Sequence, residues 1–186
     1  MKMNLPNRLT LLRVILIPFF IVVYMTELIP QPYGRYVALV IFILASYTDH
    51  LDGKIARSRN IVTNFGKFMD PLADKLLVCS ACICFIEKGK IAAWIVIIMI
   101  AREFIISGFR LLAATNGVVI AAGIWGKIKT VVQMCMIIAI LIDLPYFWFY
   151  IIEQVLIYAS MALSVFSVTD YIIKNIGVFR EDDAKE

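Results

Sequence analysis

Residues 154–169 read Gln-Val-Leu-Ile-Tyr-Ala-Ser-Met-Ala-Leu-Ser-Val-Phe-Ser-Val-Thr and contain no charged side chain. A second uncharged stretch covers residues 111–126. A membrane-spanning helix needs about 20 mostly apolar residues, because each residue adds about 1.5 Å toward a hydrocarbon core about 30 Å thick. Both stretches are shorter than that, so each predicted span carries charge at an end or inside it.

The composition of the whole chain indicates a membrane-embedded protein. Of its 186 residues, 62% are hydrophobic and 17% are charged, and the mean hydropathy is +0.87. Soluble domains are about 45–50% apolar and about 25% charged. The counts of nine Gly, six Pro and four Cys exclude collagen-like, disordered and disulfide-stapled chains. The net charge of +4 is too small to indicate a nucleic-acid-binding face.

Apolar segments separated by short polar breaks predict an all-α membrane protein of one domain, residues 1–186, with six transmembrane helices. The predicted helices cover 5–28, 35–57, 70–87, 91–113, 125–144 and 146–174. Residues 4–13 are amphipathic, which predicts an interfacial helix before the first span. No small-residue cleavage site follows Met25, so this segment is not predicted to be a signal peptide. The mixed-charge tail from about 178 to 186 is predicted to be frayed.

The positions of the basic residues predict the orientation of the spans. With a cytoplasmic amino terminus and six spans, 15 of the 18 Lys and Arg residues lie on the cytoplasmic side. The three exceptions are Arg35, Lys88 and Lys90. Cytoplasmic loops of membrane proteins are enriched in Lys and Arg. Both termini are therefore predicted to be cytoplasmic.

Four aspartates lie around the predicted connection between the second and third spans. Asp49 and Asp52 are spaced i, i+3, and Asp70 and Asp74 are spaced i, i+4, so each pair shares one face of a helix. Converging carboxylates repel one another, and divalent cations would remove that repulsion. Oxygen ligands suit Mg or Mn, and two such ions can clamp a diphosphate.

Nearby residues fit a phosphate ligand. Gly53 and Gly66 allow close approach to the backbone, and Arg57 offers a planar fork for phosphate oxygens. A single Asp at a helix end is more often a cap or a solvated charge, but that explanation is weak for four of them in this order. His50 is predicted to point away from the acidic face.

The pattern Asp49-x2-Asp52-Gly53-x2-Ala56-Arg57-x8-Gly66-x3-Asp70-x3-Asp74 resembles the complete signature of the CDP-alcohol phosphatidyltransferase family. The resemblance implies a six-helix membrane domain, two divalent metal ions per site and a homodimer. It implies that the four aspartates bind metal, that Asp74 is also the general base, and that Gly53, Ala56, Arg57 and Gly66 lie along the CDP donor. It further implies a multi-pass protein of the bacterial cytoplasmic membrane with its active site facing the cytoplasm.

A second cluster, on the predicted cytoplasmic side, is basic. It consists of Arg102, Arg110, Lys127 and Lys129. An ion inside a membrane span is a functional candidate, although pairing of Arg102 with Glu103 or Asp170 would give it a structural role. Snorkelling of the other three toward the interface is the alternative for them. A phosphate-bearing acceptor would explain the cluster.

The segments Arg-Glu-Phe-x3-Gly-x-Arg (102–110) and Gly-Lys-x-Lys-Thr (126–130) are similar to the phosphatidylglycerophosphate synthase branch of the family. This resemblance implies CDP-diacylglycerol as the donor and glycerol 3-phosphate as the acceptor. Phosphatidylglycerol, inositol phosphate and serine are alternative acceptors, and the cations argue against serine. An intramembrane prenyltransferase also uses acidic motifs, but those are separated by a longer stretch of sequence. A transporter would predict internal repeats, and none is evident.

Overall fold

The computed structural model describes residues 5–26, 28–58, 64–115 and 123–175, with the backbone alone described for 5–8, 49–58, 64–68, 70 and 115. All regular secondary structure in these ranges is helical, which confirms the prediction of an all-α chain with six helices. The helices are α1 (Leu5–Met25), α2 (Tyr33–Ser58), α3 (Asn64–Glu87), α4 (Ala93–Thr115), α5 (Ile124–Ile142) and α6 (Phe147–Asn175). The predicted tail from 178 lies outside the described residues.

The start of α3 is the largest departure from the predicted boundaries. The helix begins at Asn64, six residues before the predicted start at 70. Pro71 lies inside it, and a proline removes a single backbone donor, so the helix continues on both sides at the expense of one hydrogen bond. The first turns are a mixture of polar and apolar residues, so hydrophobicity alone placed the boundary too late.

The chain forms two compact units, residues 1–90 and residues 91–186. In the first unit, α1 packs against both α2 and α3. Aromatic rings form part of this contact: Phe20 and Tyr24 stack at 5.9 Å, Phe42 lies 6.1 Å from Phe20, and Phe85 lies 5.5 Å from Tyr24. Edge-on and offset aromatic pairs at these distances stabilise a core beyond the area that they bury.

Contacts along α1 define the directions of the helices in the first unit. The fully buried Arg13 of α1 donates from Nε to the carbonyl oxygen of Ala45 near the middle of α2 at 3.2 Å, and Phe20, further along α1, packs on Phe42, which precedes Ala45 in α2. Lys88 Nζ donates to the carbonyl oxygen of Met25 at 3.3 Å, which joins the ends of α1 and α3. Helix α2 is thus antiparallel to α1, and α3 is parallel to it.

In the second unit, α6 packs against both α4 and α5. A stripe of small polar residues is buried along α6 at helical spacing and consists of Ser160, Ser164 and Ser167. Small residues let helix backbones approach closely. Arg102 contacts Ser167, and Phe109 contacts Tyr171 one turn further along α6. The residue number increases from the first pair to the second on both helices, so α4 and α6 run parallel.

Two of the described helices, α5 and α6, are long and apolar enough to cross a membrane. Shorter apolar stretches cover Leu9–Met25 and Tyr33–Thr48. Large apolar side chains are also exposed on the surface, for example Ile97, Val131 and Phe147, which are 65%, 63% and 79% exposed. Exposed apolar side chains of this size are typical of surfaces that contact a membrane or another protein. The chain therefore has the character of a membrane protein.

Candidate active site

The acidic motif lies where α2 ends and α3 begins. Asp49 and Asp52 belong to the last turns of α2, and Asp70 and Asp74 to the first half of α3. The backbone is helical at all four positions, which confirms that each pair lies on one helix. The spacings of three and four residues place both members of a pair on the same face. Five residues, 59–63, join the two helices, so the two pairs lie near the same end of this unit.

Most side chains of this motif lie outside the described residues. They are Asp49, His50, Asp52, Gly53, Ala56, Arg57, Gly66 and Asp70. Among the described residues, no group of three or more His, Cys, Asp or Glu is placed to hold a metal ion. Asp74 is described and is partly buried, one residue after the buried Ala73. The predicted metal and donor roles of these residues stay predictions.

The basic cluster is the part of the predicted site that the structure describes in atomic detail. Arg102 on α4 donates from Nε to Ser167 Oγ on α6 at 2.8 Å and from Nη1 to Glu103 Oε1 at 3.2 Å. Lys129 on α5 forms an ion pair with the same Glu103 oxygen. Lys129 Nζ also donates to Gln133 Oε1 at 2.5 Å. One polar network therefore links all three helices of the second unit.

Burial explains why the network has this many partners. Lys129 is fully buried and Arg102 is 8% exposed. An unpaired charge in such surroundings is strongly unfavourable, whereas a paired and hydrogen-bonded one is tolerated. Glu103 supplies one negative charge to two cations, and Gln133 and Ser167 supply neutral acceptors. The network keeps a positive charge in excess beside the neighbouring cavity.

A small cavity of about 20 Å³ opens beside this network. It is lined by Arg102, Ile106, Arg110, Gly123, Trp125, Gly126, Ser167, Asp170 and Tyr171. The carboxylate of Asp170 is already paired with Lys174 at 2.7 Å. A volume of this size admits one water-sized group. Two guanidinium groups therefore face a space large enough for a single oxygen of an anion.

Gly126 sets how closely Arg102 approaches α5. A Cβ atom added at this position would lie 3.0 Å from Arg102 Nη2, closer than carbon and nitrogen atoms pack without a hydrogen bond. Trp125, beside it in the chain, packs edge-on against Phe166 of α6 at 4.7 Å. The glycine thus leaves room for the guanidinium at the cavity wall while its neighbour anchors α5 to α6.

The four residues predicted to bind the acceptor's phosphate occupy different positions. Arg102 and Arg110 both line the cavity, and Arg110 is exposed. Lys127 is exposed on the first turn of α5, and Lys129 is buried in its pair with Glu103. Of the partners considered for Arg102, the structure has Glu103 in contact with it. The predicted phosphate-binding roles of all four stay predictions.

Sequence reasoning missed three residues of this site: Gln133, Ser167 and Tyr171. Gln133 follows Lys129 by four residues and precedes the apolar second half of α5, and this spacing was a usable signal for a buried hydrogen bond. Ser167 and Tyr171 are likewise four residues apart on α6. Nothing in their own sequence identifies Arg102 of α4 as the neighbour, because that depends on how the two helices are rotated about their axes.

Comparisons with known proteins agree with the motif. A sequence model of the CDP-alcohol phosphatidyltransferase family matches residues 3–166. A CDP-diacylglycerol–glycerol-3-phosphate 3-phosphatidyltransferase of Bacillus subtilis (strain 168) is 44% identical over 156 residues, covering 77% of this chain and 79% of the relative. The protein of the same name from Haemophilus influenzae is 38% identical over 182 residues, covering 92% and 93%. One from Rickettsia bellii is 42% identical over 131 residues, covering 70% and 71%. The chain belongs to the CDP-alcohol phosphatidyltransferase family.

Proposed function

We propose that this chain transfers the phosphatidyl group of CDP-diacylglycerol to glycerol 3-phosphate and releases CMP. The observation that carries the proposal is the extent of the similarity to phosphatidyltransferases of that name, which reaches 92% of the chain. The aligned length is too great to leave out either the aspartate motif or the basic cluster. The aspartate motif is then available for the donor and the basic cluster for the acceptor.

The donor is assigned to the first unit. Asp49, Asp52, Asp70 and Asp74 would hold two divalent cations, and a set of four carboxylates fits Mg or Mn, which prefer oxygen ligands. Bound there, the ions supply charge neutralisation for the diphosphate of the donor. The residues Gly53, Ala56, Arg57 and Gly66 would lie along the CDP moiety, with the Arg57 guanidinium binding phosphate oxygens.

The acceptor is assigned to the basic cluster of the second unit. Among the described residues, Arg102, Arg110, Lys129 and Lys174 carry four positive charges against the carboxylates of Glu103 and Asp170, which leaves a surplus of two. A phosphate monoester carries between about 1.5 and 2 negative charges at pH 7. The exposed Lys127 adds attraction at the surface. Charge balance therefore favours an acceptor that bears a phosphate over serine or a neutral alcohol.

The reaction is a displacement at phosphorus. Asp74 accepts the proton from the attacking hydroxyl of glycerol 3-phosphate, whose oxygen bonds to the phosphorus of the phosphatidyl group while the bond to CMP breaks. CMP departs as a stable anion, so no acid is needed to protonate it. The contribution of the protein consists of proton transfer, positioning and stabilisation of charge.

The membrane topology is part of the proposal. Helix α2 is antiparallel to α1 and α3 is parallel to it, and α4 is parallel to α6. These directions alternate as six consecutive spans require within each unit. With the bias of basic residues, they support six spans in the bacterial cytoplasmic membrane, with both termini and the active site on the cytoplasmic side. A homodimer is the proposed assembly, on the family resemblance alone.

A CMP-release assay with four acceptors tests the proposed function. Purified protein receives CDP-diacylglycerol and Mg²⁺, with glycerol 3-phosphate, inositol phosphate, serine or phosphatidylglycerol offered separately. We expect CMP release above background with glycerol 3-phosphate alone. Turnover with a different acceptor would overturn the assignment of the basic cluster and leave the donor chemistry intact. Absence of CMP with all four, from folded protein, would overturn the proposal itself.

Replacing Gly126 by alanine tests whether the acceptor binds beside Arg102, because the added methyl group would crowd the Arg102 side chain. The added Cβ would displace the Arg102 guanidinium by a few tenths of an ångström, and misplacement of a charged donor weakens a phosphate contact. We expect the KM for glycerol 3-phosphate to rise about three- to tenfold, with the KM for CDP-diacylglycerol unchanged.

Gly108→Ala is the matched control for Gly126→Ala. It lies on α4, and a Cβ there would meet no atom of the described residues within 4 Å. Alanine in place of a helical glycine favours the helix by about 1 kcal/mol, so this variant should keep wild-type kinetics. An equal KM for glycerol 3-phosphate in both variants and the wild type would contradict the placement of the acceptor beside Arg102.

A further inference from the structure

The hydroxyl group of Tyr171, a residue that lines the cavity, lacks a hydrogen-bond partner among the described residues. Tyr171 is 6% exposed, its side chain lines the cavity, and its hydroxyl oxygen is buried. Among the described residues, no group forms a hydrogen bond with that hydroxyl. A buried phenol without a hydrogen bond is unfavourable, and buried Tyr hydroxyls usually have a partner.

The position of the ring is fixed by its surroundings. Phe109 of α4 packs edge-on against the Tyr171 ring, with centroids 6.4 Å apart and planes at 82°. Tyr171 follows Ser167 by one helical turn, and Ser167 is bonded to Arg102. Tyr171 and Arg102 therefore line the same cavity, and the contact with Phe109 packs the Tyr171 ring on its α4 side.

The chemistry of the other cavity groups determines what the hydroxyl needs. Guanidinium groups only donate hydrogen bonds, so Arg102 and Arg110 offer the phenol no acceptor. Among the described residues that line the cavity, Asp170 supplies the acidic group, and its carboxylate is paired with Lys174 at 2.7 Å and 3.0 Å. A ligand that completes the site must bring its own acceptor oxygen, and an anionic oxygen would satisfy the phenol and the guanidinium groups together.

We propose that Tyr171 is a specificity-determining residue that donates a hydrogen bond from its hydroxyl to a phosphate oxygen of the acceptor. The inference rests on the proposed function and adds a neutral donor to the basic cluster. The cavity of about 20 Å³ accommodates one oxygen, which would contact Tyr171 and Arg102. The remaining phosphate oxygens extend toward the exposed Arg110.

Tyr171→Phe isolates this hydrogen bond, because it keeps the ring and its contact with Phe109 and removes one oxygen atom. A hydrogen bond to a charged group corresponds to about tenfold or more in affinity. We expect the KM for glycerol 3-phosphate to rise about tenfold, with kcat and the KM for CDP-diacylglycerol within about twofold of wild type. Tyr158→Phe, at a half-exposed position on the same helix, is the matched control and should be unchanged.

Inorganic phosphate identifies which part of the acceptor Tyr171 contacts. As a competitor of glycerol 3-phosphate it shares the phosphate group and lacks the glycerol. The Ki for inorganic phosphate should therefore rise in Tyr171→Phe by the same factor as the KM. A raised KM with an unchanged Ki would place the hydroxyl on the glycerol moiety and overturn the inference, as would a KM equal to that of the wild type.

A binding measurement separates failure of this inference from failure of the proposed function. Thermal unfolding of purified protein is followed with and without inorganic phosphate, which requires no turnover. If the wild type released no CMP with glycerol 3-phosphate, the proposed function would be wrong. Phosphate stabilisation that is present in the wild type and reduced in Tyr171→Phe would still support the contact, and equal stabilisation of both proteins would contradict it.

Discussion

Asp74→Asn is expected to lower kcat by about a thousandfold, since general-base catalysis contributes about 10²–10⁴-fold. The amide has the same shape as the carboxylate but cannot accept the proton of the attacking hydroxyl at neutral pH. Asp74 is partly buried on α3 and lies in the described part of the motif. The measurement is CMP release at saturating CDP-diacylglycerol and glycerol 3-phosphate.

Two controls define what the loss in Asp74→Asn means. Glu87→Gln makes the same chemical change at an exposed position at the end of α3, and it should leave kcat unchanged. Because Asp74 is also a proposed metal ligand, the assay is repeated with the Mg²⁺ concentration raised tenfold. Recovery of activity at high Mg²⁺ would assign the loss to weakened metal binding. Near-wild-type kcat in the well-expressed variant would remove Asp74 from the role of base.

Removal of divalent cations is expected to abolish turnover, with a fall of at least about a hundredfold. Divalent ions in such sites stabilise developing charge by several kcal/mol, and each 1.36 kcal/mol corresponds to a factor of ten in rate. On the proposed assignment, four aspartates would face a negatively charged diphosphate without them. The measurement is CMP release after treatment with EDTA and its removal by dialysis.

Add-back distinguishes loss of metal from damage to the protein. Mg²⁺ or Mn²⁺ returned to the dialysed protein should restore activity, and protein treated with EDTA already saturated with Mg²⁺ should stay active throughout. Full turnover in excess EDTA would contradict the proposed role of the aspartates. Restoration by Zn²⁺ in preference to Mg²⁺ would contradict the assignment of a site built from oxygen ligands.

Much of the fold was predictable because hydrophobicity marks membrane helices strongly. The predicted start of α6 at 146 and its end at 174 differ by one residue from the observed Phe147–Asn175. The start of α3 was predicted too late, since its first turns have no continuous apolar face and Pro71 was compatible with a boundary. Helix boundaries were thus predicted well where the helices are apolar, and less well where the predicted site residues make them polar.

The sequence was sufficient to predict which residues form the candidate site, but not which of them contact one another. The spacing of the four aspartates and the charges of the basic cluster were evident in the sequence. The pairing of Lys129 with Glu103, the hydrogen bond from Arg102 to Ser167 and the position of Tyr171 were not. Each depends on the rotation of one helix against another, which leaves little trace in a single sequence.

In the proposed reaction the phosphate of the acceptor is retained in the lipid product, which a radiolabel measurement can follow. Purified protein is given CDP-diacylglycerol and glycerol 3-phosphate labelled with ³²P, and the CMP released is compared with the label recovered in the lipid extract. We predict one labelled lipid molecule, containing two phosphorus atoms, for each CMP. Release of CMP with no label in the lipid would mean hydrolysis of the donor or use of another acceptor, and would rule out transfer to glycerol 3-phosphate.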